Sequence, residues 1–354
     1  MESIRLPLAI LALLALSCGD GATTGGLPEP PCTGNLVDRS SDVLHIHDPT
    51  IAREGDEFFI YSSSATGTFY RSSDLRSWRR AGTVFEAIPD WIYEEIPNAD
   101  HIGSPDIAWY DGRWVLFYQS HIGGTCNAAM GVATNETLDP DSPDYRWIDH
   151  GLVLRSTPLF DNLDIICGVD DIWYNTIDPT LFVDPADGRP WLIFGSTVGG
   201  IFLVEIDPET LMPTQHPREF VLLAARDVLQ VDPIVEAPYV MYRDGWYHLF
   251  LSHDHCCKGA DTTYKIVVGR SRSLAGPYLD REGVPLVEDG GTIVIDGDGS
   301  LIGTGHGDVF SHEGYDYLVH HARDADLDYT PVLNVRRLDW DAEGWPRACL
   351  SGGG

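Results

Sequence analysis

Apolar and polar residues alternate along most of this chain in short runs, and the runs recur in a fixed order. Five times an acidic residue opens a short apolar stretch, an acidic and glycine-containing turn interrupts it, and an aromatic-rich stretch returns. The copies begin at Asp48 (DPTIAREGDEFFIYSS), Asp106 (DIAWYDGRWVLFYQS), Asp178 (DPTLFVDPADGRPWLIFGS), Glu236 (EAPYVMYRDGWYHLFLSH) and Asp308 (DVFSHEGYDYLVHHA). Two-residue periodicity broken by such turns predicts β-hairpins. A hairpin unit recurring every roughly 60 to 70 residues predicts a closed array of blades. The expected fold is therefore all-β, a five-bladed β-propeller. The innermost strands of a propeller line its axis, and each acid opens the corresponding strand of its copy. The five carboxylates should then converge on one central site.

Composition agrees with one large all-β domain: 354 residues with 36 Gly, 10 Trp, 15 Tyr and 12 Phe. The balance of 54 acidic against 23 basic residues, a net charge of −31, excludes nucleic acid and an anionic membrane surface as partners. A neutral substrate and a soluble monomer are expected. Residues 1–17 read as a signal peptide, with Arg5 ahead of an apolar run from Leu6 to Leu16 that is too short to span a bilayer. Ser17-Cys18 allows either lipidation of Cys18, which would tether the chain to a membrane, or simple secretion. Both readings place the protein outside the cytoplasm, secreted or as an outer-membrane lipoprotein. Residues 18–40, rich in Gly, Thr and Pro at their start, are expected to be a flexible linker, and 41–354 the propeller.

Setting Cys18 aside leaves Cys32, Cys126, Cys167, Cys256, Cys257 and Cys349, an even set in an oxidising compartment. Cys32 and Cys349 bracket the repeats, and a ring brings its ends together, so a disulfide between them is expected. Cys256 and Cys257 form either a vicinal disulfide or two thiols on opposite faces of a strand end. No C-x-x-C spacing occurs, so cysteine is not expected to hold metal.

Three of the five acids stand in distinctive surroundings: His47-Asp48-Pro49-Thr50-Ile51, Ile177-Asp178-Pro179-Thr180-Leu181 and Val235-Glu236-Ala237-Pro238-Tyr239. Together with Ser104-Pro105-Asp106-Ile107, Cys256-Cys257-Lys258-Gly259, YKIVVGRS from Tyr264 and Gly305-His306-Gly307-Asp308-Val309, this ordered set resembles glycoside hydrolase family 43, and within it the endo-α-1,5-L-arabinanases. The resemblance runs from about Asp42 to Asp339. It implies an inverting glycoside hydrolase of plant cell-wall arabinan, with Asp48 as general base, Glu236 as general acid and Asp178 orienting that acid and raising its pKa. Blade order is compatible with those roles: in a ring of five, blade 1 adjoins neither blade 3 nor blade 4, so Asp48 faces Glu236 across the channel while Asp178 neighbours it. Inverting hydrolysis requires room for a water between acid and base, and a neighbouring like charge keeps the acid protonated.

The resemblance further implies that His306 contacts a calcium ion in the central channel, with waters completing the shell because calcium prefers oxygen, and that Asn175 and Ser196 contact the sugar. Asp106 and Asp308 are expected to be structural or substrate-contacting, His47 to shape the turn before the base, and Trp91, on a polar loop, to be a sugar-stacking platform. Trp109 and Tyr110 lie within a strand pattern and are expected in inter-blade cores; Trp173 is a further aromatic candidate. Where the family often carries an aromatic, this chain has His101-Ile102-Gly103, which alters a subsite wall. An exo-acting α-L-arabinofuranosidase or β-xylosidase on the same fold is the nearest alternative, and a non-catalytic carbohydrate-binding propeller the alternative of another class. The latter leaves an acid, a base and a modulator unexplained. Sucrose- and fructan-splitting propellers are disfavoured by the lack of a Trp-Asn-Asp-Pro-type opening.

Overall fold

The computed structural model describes residues 32–123, 125, 127–156, 174–197, 199–226 and 234–352. The expected signal peptide, Cys18, Cys126, Cys167 and Trp173 lie outside the described residues. Among those described, the chain forms five four-stranded antiparallel sheets, each made of strands consecutive in sequence and paired in that order. These are the five blades. Their inner strands are Thr50–Glu54, Gly103–Tyr110, Thr180–Val183, Val235–Arg243 and Leu301–His312.

The acidic and glycine-containing turns act as the pattern predicts. In blade 4, Arg243 pairs with Trp246 across Asp244-Gly245, whose φ angles of 51° and 78° are the left-handed pair that a tight hairpin matching strand twist requires. Asp111-Gly112 and Glu313-Gly314 repeat the arrangement in blades 2 and 5. Side chains facing away from the turns bury between blades rather than within one. Ile60 and Tyr70 of blade 1 pack with Val319 and Val335 of blade 5, and Phe117 and Val132 of blade 2 with Phe194 and Val204 of blade 3. Trp109 is an exception: it lies near the outer end of its strand and is 51% exposed, so the strand pattern misplaced it in a core, whereas Tyr110 packs against the layer between blades 2 and 3.

The blades meet at the axis through one repeated device. Asp48, Ser104, Asp178, Ala237 and His306 each precede a Pro or Gly and adopt φ of 51°, 38°, 54°, 53° and 51°, a left-handed conformation costly for residues with a Cβ. Two positions later a polar side chain reaches the next blade. Thr50 Oγ1 accepts from Ile107 N–H at 3.3 Å and Asp106 Oδ2 from Leu181 N–H at 2.8 Å. Thr180 Oγ1 donates to the Pro238 carbonyl, and the Tyr239 hydroxyl bonds the Asp308 side chain. Asp308 Oδ2 returns to blade 1, accepting from Ile51 N–H at 2.8 Å and Thr50 Oγ1 at 2.9 Å. This belt corrects the expectation of five equivalent acids. Asp48 and Asp178 occupy the left-handed position, Glu236 precedes it by one residue, and Asp106 and Asp308 follow it by two.

Among the described residues no strand is shared between the first and last blades. Closure instead comes from the segment that leads into blade 1, which runs against blade 5: Leu36 N–H donates to the Val335 carbonyl at 2.8 Å, and Asn35 Oδ1 accepts from Val335 N–H at 3.0 Å. The expected linker therefore ends earlier than residue 40. Cys32 and Cys349 are disulfide-bonded, 317 residues apart in sequence; in the chain-entropy model a loop of that length is worth about 6 kcal/mol.

Asp308→Ala removes the partner of Ile51 N–H, the Thr50 hydroxyl and the Tyr239 hydroxyl and should lower the unfolding free energy by about 1–3 kcal/mol per donor left unpaired, measured by urea denaturation. Asp308→Asn, which keeps one carbonyl oxygen, should recover part of that loss.

Candidate acid–base site

The belt separates the five carboxylates by occupation. Asp106 and Asp308 are committed to the next blade, and Asp178 partly so, its Oδ2 accepting from Ala237 N–H at 3.0 Å. Asp48 and Glu236 accept no backbone amide of a following blade. Asp48 instead gathers donors around its carboxylate: Oδ1 lies 2.7 Å from His47 Nδ1 and 3.1 Å from His306 Nδ1, and Oδ2 accepts from Ser63 Oγ at 2.5 Å and Ser104 Oγ at 3.4 Å. Its backbone N–H donates to His321 Nδ1 at 3.2 Å. Glu236 Oε2 accepts from Ser196 Oγ at 3.2 Å, and its carboxyl also bonds the Tyr264 side chain.

These surroundings push the carboxyl groups in opposite directions. Burial opposes ionisation of Asp48, but the adjacent His47 and His306 outweigh it and hold the group well below the usual carboxylate range. Glu236 has no cation in hydrogen-bond contact; burial first, and then the charge of Asp178, raise it to about 7. Asp178 is itself raised, by burial and by Asp48, with His306 opposing. His306 resists its own desolvation through Asp48 and Asp178 and rises to about 9. Around neutral pH the site thus holds one carboxylate firmly ionised and another that is still substantially protonated, the pairing that acid–base chemistry needs.

Below the belt lies a cavity of about 20 Å³ lined by Asp106, Asp178, Asp308 and His306, room for one water-sized species. Hard carboxylate oxygens beside a single imidazole suit a hard cation, but a space of this size holds one ion or one water and not both, so the ion's waters would have to lie outside the cavity. Among the described residues, His306 belongs to no cluster of three or more ligand side chains, so any such ion would be held largely through water.

Several expected contacts fall elsewhere. Asp106 is buried and bonded to blade 3, which makes it a structural member of the belt rather than a sugar contact. Trp91 is on a short helix, Asp90–Glu95, not a polar loop; its Nε1 donates to Asp149 Oδ2 at 3.1 Å and its ring packs on Tyr118, so it is tied to the outer part of blade 2. Asn175 is buried, its Oδ1 accepting from Ser156 Oγ at 3.3 Å. Ser196 does meet the central acids. Ser63, Ser104, Tyr264 and His321 were missed. Ser63 and His321 had a signal, because each copy of the repeat carries a polar residue in its last two positions: SS, QS, GS, SH and HA.

A propeller whose axis carries buried carboxylates of divided proton affinity defines a hydrolase-like acid–base centre, and comparison with known proteins gives its family. The family model for "Glycosyl hydrolases family 43" matches residues 43–346. An extracellular exo-α-(1→5)-L-arabinofuranosidase of Cellvibrio japonicus is 37% identical over 95% of this chain and 91% of its own. An extracellular endo-α-(1→5)-L-arabinanase of Bacillus subtilis is 35% identical, covering 85% of this chain and 87% of its own. The solved structure of Cellvibrio cellulosa α-L-arabinanase complexed with arabinohexaose superimposes with a TM-score of 0.77 at 35% identity, over 86% of this chain and 96% of that one. This chain belongs to glycosyl hydrolase family 43.

Glu236 should titrate near 7 when followed by carboxyl carbon NMR. In Asp178→Asn the midpoint should fall, because a like charge is removed, while staying above the ordinary glutamate value because burial remains. An unmoved midpoint would leave Asp178 with an orienting role alone.

Proposed function

We propose that this protein hydrolyses α-1,5-linked L-arabinan with inversion, Asp48 acting as general base on a water and Glu236 as general acid on the leaving oxygen. The observation that carries this reading is the opposed proton affinity of two axial carboxyls, neither of which is taken up by a backbone amide of another blade. Glu236 must bring a proton to the glycosidic oxygen, and its raised affinity leaves it protonated at working pH. Asp48 must be ionised when water approaches, and His47, His306 and Ser63 fix its orientation through three charge-assisted or hydroxyl hydrogen bonds. Asp178 contributes charge to the acid and holds Ala237, the residue after it, in place. Displacement with inversion then needs no covalent intermediate.

The sugar specificity is supported by relatives named for α-1,5-arabinan and by the neighbour solved with arabinohexaose. Internal cleavage is the first reading, following the Bacillus relative. End trimming is the second, favoured by the exo-acting name of the Cellvibrio relative. The extracellular names of both relatives support an extracytoplasmic location, reached through the amino-terminal signal, with Cys18 as the residue for a lipid anchor. A calcium ion would be held by His306 with Asp178, Asp106 and Asp308 as outer oxygen partners; when bound it supplies positive charge beside the acids.

Glu236→Gln and Asp48→Asn should each reduce hydrolysis of linear arabinan to at most a few per cent of the parent while leaving the circular dichroism spectrum unchanged. Activity on the parent should decline as pH rises through about 7, since the general acid then loses its proton; the acid limb, set by Asp48, lies far lower. Proton NMR of the first product formed tests inversion. Sizing of early products decides the mode: a ladder of oligomers indicates internal cleavage, and arabinose alone from the outset indicates end trimming.

A further inference from the structure

Sequence spacing gave no reason to expect a metal on cysteine, but the fold assembles ligands that spacing cannot reveal. His47 lies just before the inner strand of blade 1, Cys256 follows the second strand of blade 4, and His321 is on the second strand of blade 5. Their ligand atoms all lie within 4.8 Å of one another. Cys256 Sγ is 3.4 Å from His47 Nε2 and 3.8 Å from His321 Nε2, and Cys257 Sγ is 3.3 Å from His47 Nε2. A tetrahedral zinc with ordinary bond lengths to nitrogen and sulfur separates such ligand atoms by about 3.5 Å. The two sulfurs are not joined to each other, and Cys257 is solvent-exposed, which gives an ion a way in.

The outer partners fit as well. His47 Nδ1 faces Asp48 Oδ1 at 2.7 Å, the carboxylate–histidine arrangement that orients an imidazole toward a metal through its other nitrogen. The Arg323 guanidinium interacts electrostatically with both cysteine side chains, which places a cation beside the two sulfurs. Two ligands must adjust: Cys257 Sγ reaches His47 Nε2 but lies outside the cluster of His47, Cys256 and His321, so its exposed side chain has to turn inward, and His321 has to change tautomer. The His321 Nδ1 accepts from Asp48 N–H, so its proton sits on Nε2; on ligation that proton passes to Nδ1, the Asp48 N–H gives up its acceptor, and Nδ1–H turns to donate to Asp48 Oδ1, 3.7 Å away.

We propose that His47, Cys256 and His321, with Cys257 as fourth donor, form a thiolate–imidazole site for a borderline or soft divalent metal such as Zn²⁺, and that filling it inhibits the enzyme through Asp48. Sulfur donors select such ions over calcium, so this site is distinct in chemistry from the oxygen-lined cavity at His306. The bound dication is one imidazole ring away from Asp48 and withdraws the electron density that makes its carboxylate a base. The inhibitory half of the proposal rests on the role proposed for Asp48; the binding half does not.

The test uses the full chain with Cys256 and Cys257 confirmed as free thiols in the isolated protein, titrated with Co²⁺ as a spectroscopic stand-in and then with Zn²⁺ alone. Expected are a sulfur-to-cobalt charge-transfer band with the intense visible bands of tetrahedral cobalt, saturating at a single site, displaced by Zn²⁺, lost in Cys256→Ser and in His321→Gln, and kept in His306→Ala. Zn²⁺ should inhibit arabinan hydrolysis reversibly on chelation, and less so in Cys256→Ser relative to that variant's own metal-free rate. A vicinal disulfide in the isolated protein, an octahedral cobalt spectrum without the thiolate band, or a band that survives both variants would overturn the site. Tight thiolate binding of Zn²⁺ without inhibition would overturn the link to Asp48 and leave the site standing.

Discussion

The structure depends on hydrogen bonds made at the axis between each blade and the next. Five inner strands converge there, and each would otherwise present backbone groups to a narrow channel where water cannot fully serve them. Thr50, Asp106, Thr180, Tyr239 and Asp308 supply the partners, one per blade, and the bond from Asp308 to Ile51 completes the circle. A polar side chain can reach across because the residue two positions earlier is held in a left-handed turn before Pro or Gly. The strain at those five positions is thus part of what closes the ring, and it also turns Asp48, Asp178 and His306 toward the centre.

Function follows from what the belt leaves unused. A carboxylate that accepts a neighbour's amide is occupied as a structural acceptor. Asp48 and Glu236 are free of that duty, and their proton affinities are set by other groups: two imidazoles and two serines around Asp48, an apolar burial and the Asp178 charge around Glu236. Asp178 spans both categories, bonding Ala237 on one side and acting on Glu236 by its charge. The same convergence of blades 1, 4 and 5 that orients Asp48 through His47 also brings Cys256 and His321 against the far side of that imidazole. Chemistry and its proposed regulation are therefore carried by one ring.

Much of the fold was legible in the sequence because its signals are local: alternation within strands, acidic–glycine hairpins such as Asp244-Gly245, and the recurrence of the whole unit. The Cys32–Cys349 disulfide was legible for a topological reason, since a closed ring must join its ends. The site was only partly so. Aligning the copies by their acids put Asp106 and Asp308 in register with Asp48, whereas the shared feature is the residue before Pro or Gly, and a shift of two residues changes which neighbour a side chain meets. Trp91 was misjudged because its helix packs on Tyr118 and Asp149, a tertiary contact with no sequence period. His321 and Cys256 were invisible as a pair because ligands drawn from separate blades have no spacing to read.

Native-state hydrogen exchange at the amides of Leu181 and Ala237 tests the central claim most directly, since these donate to Asp106 and Asp178 across blade boundaries at 2.8 Å and 3.0 Å. If the axial belt holds the ring, both should exchange only through global unfolding, as slowly as amides in the middle of the second strands. Exchange of both at the rate of surface turns such as Asp244-Gly245 would contradict the account.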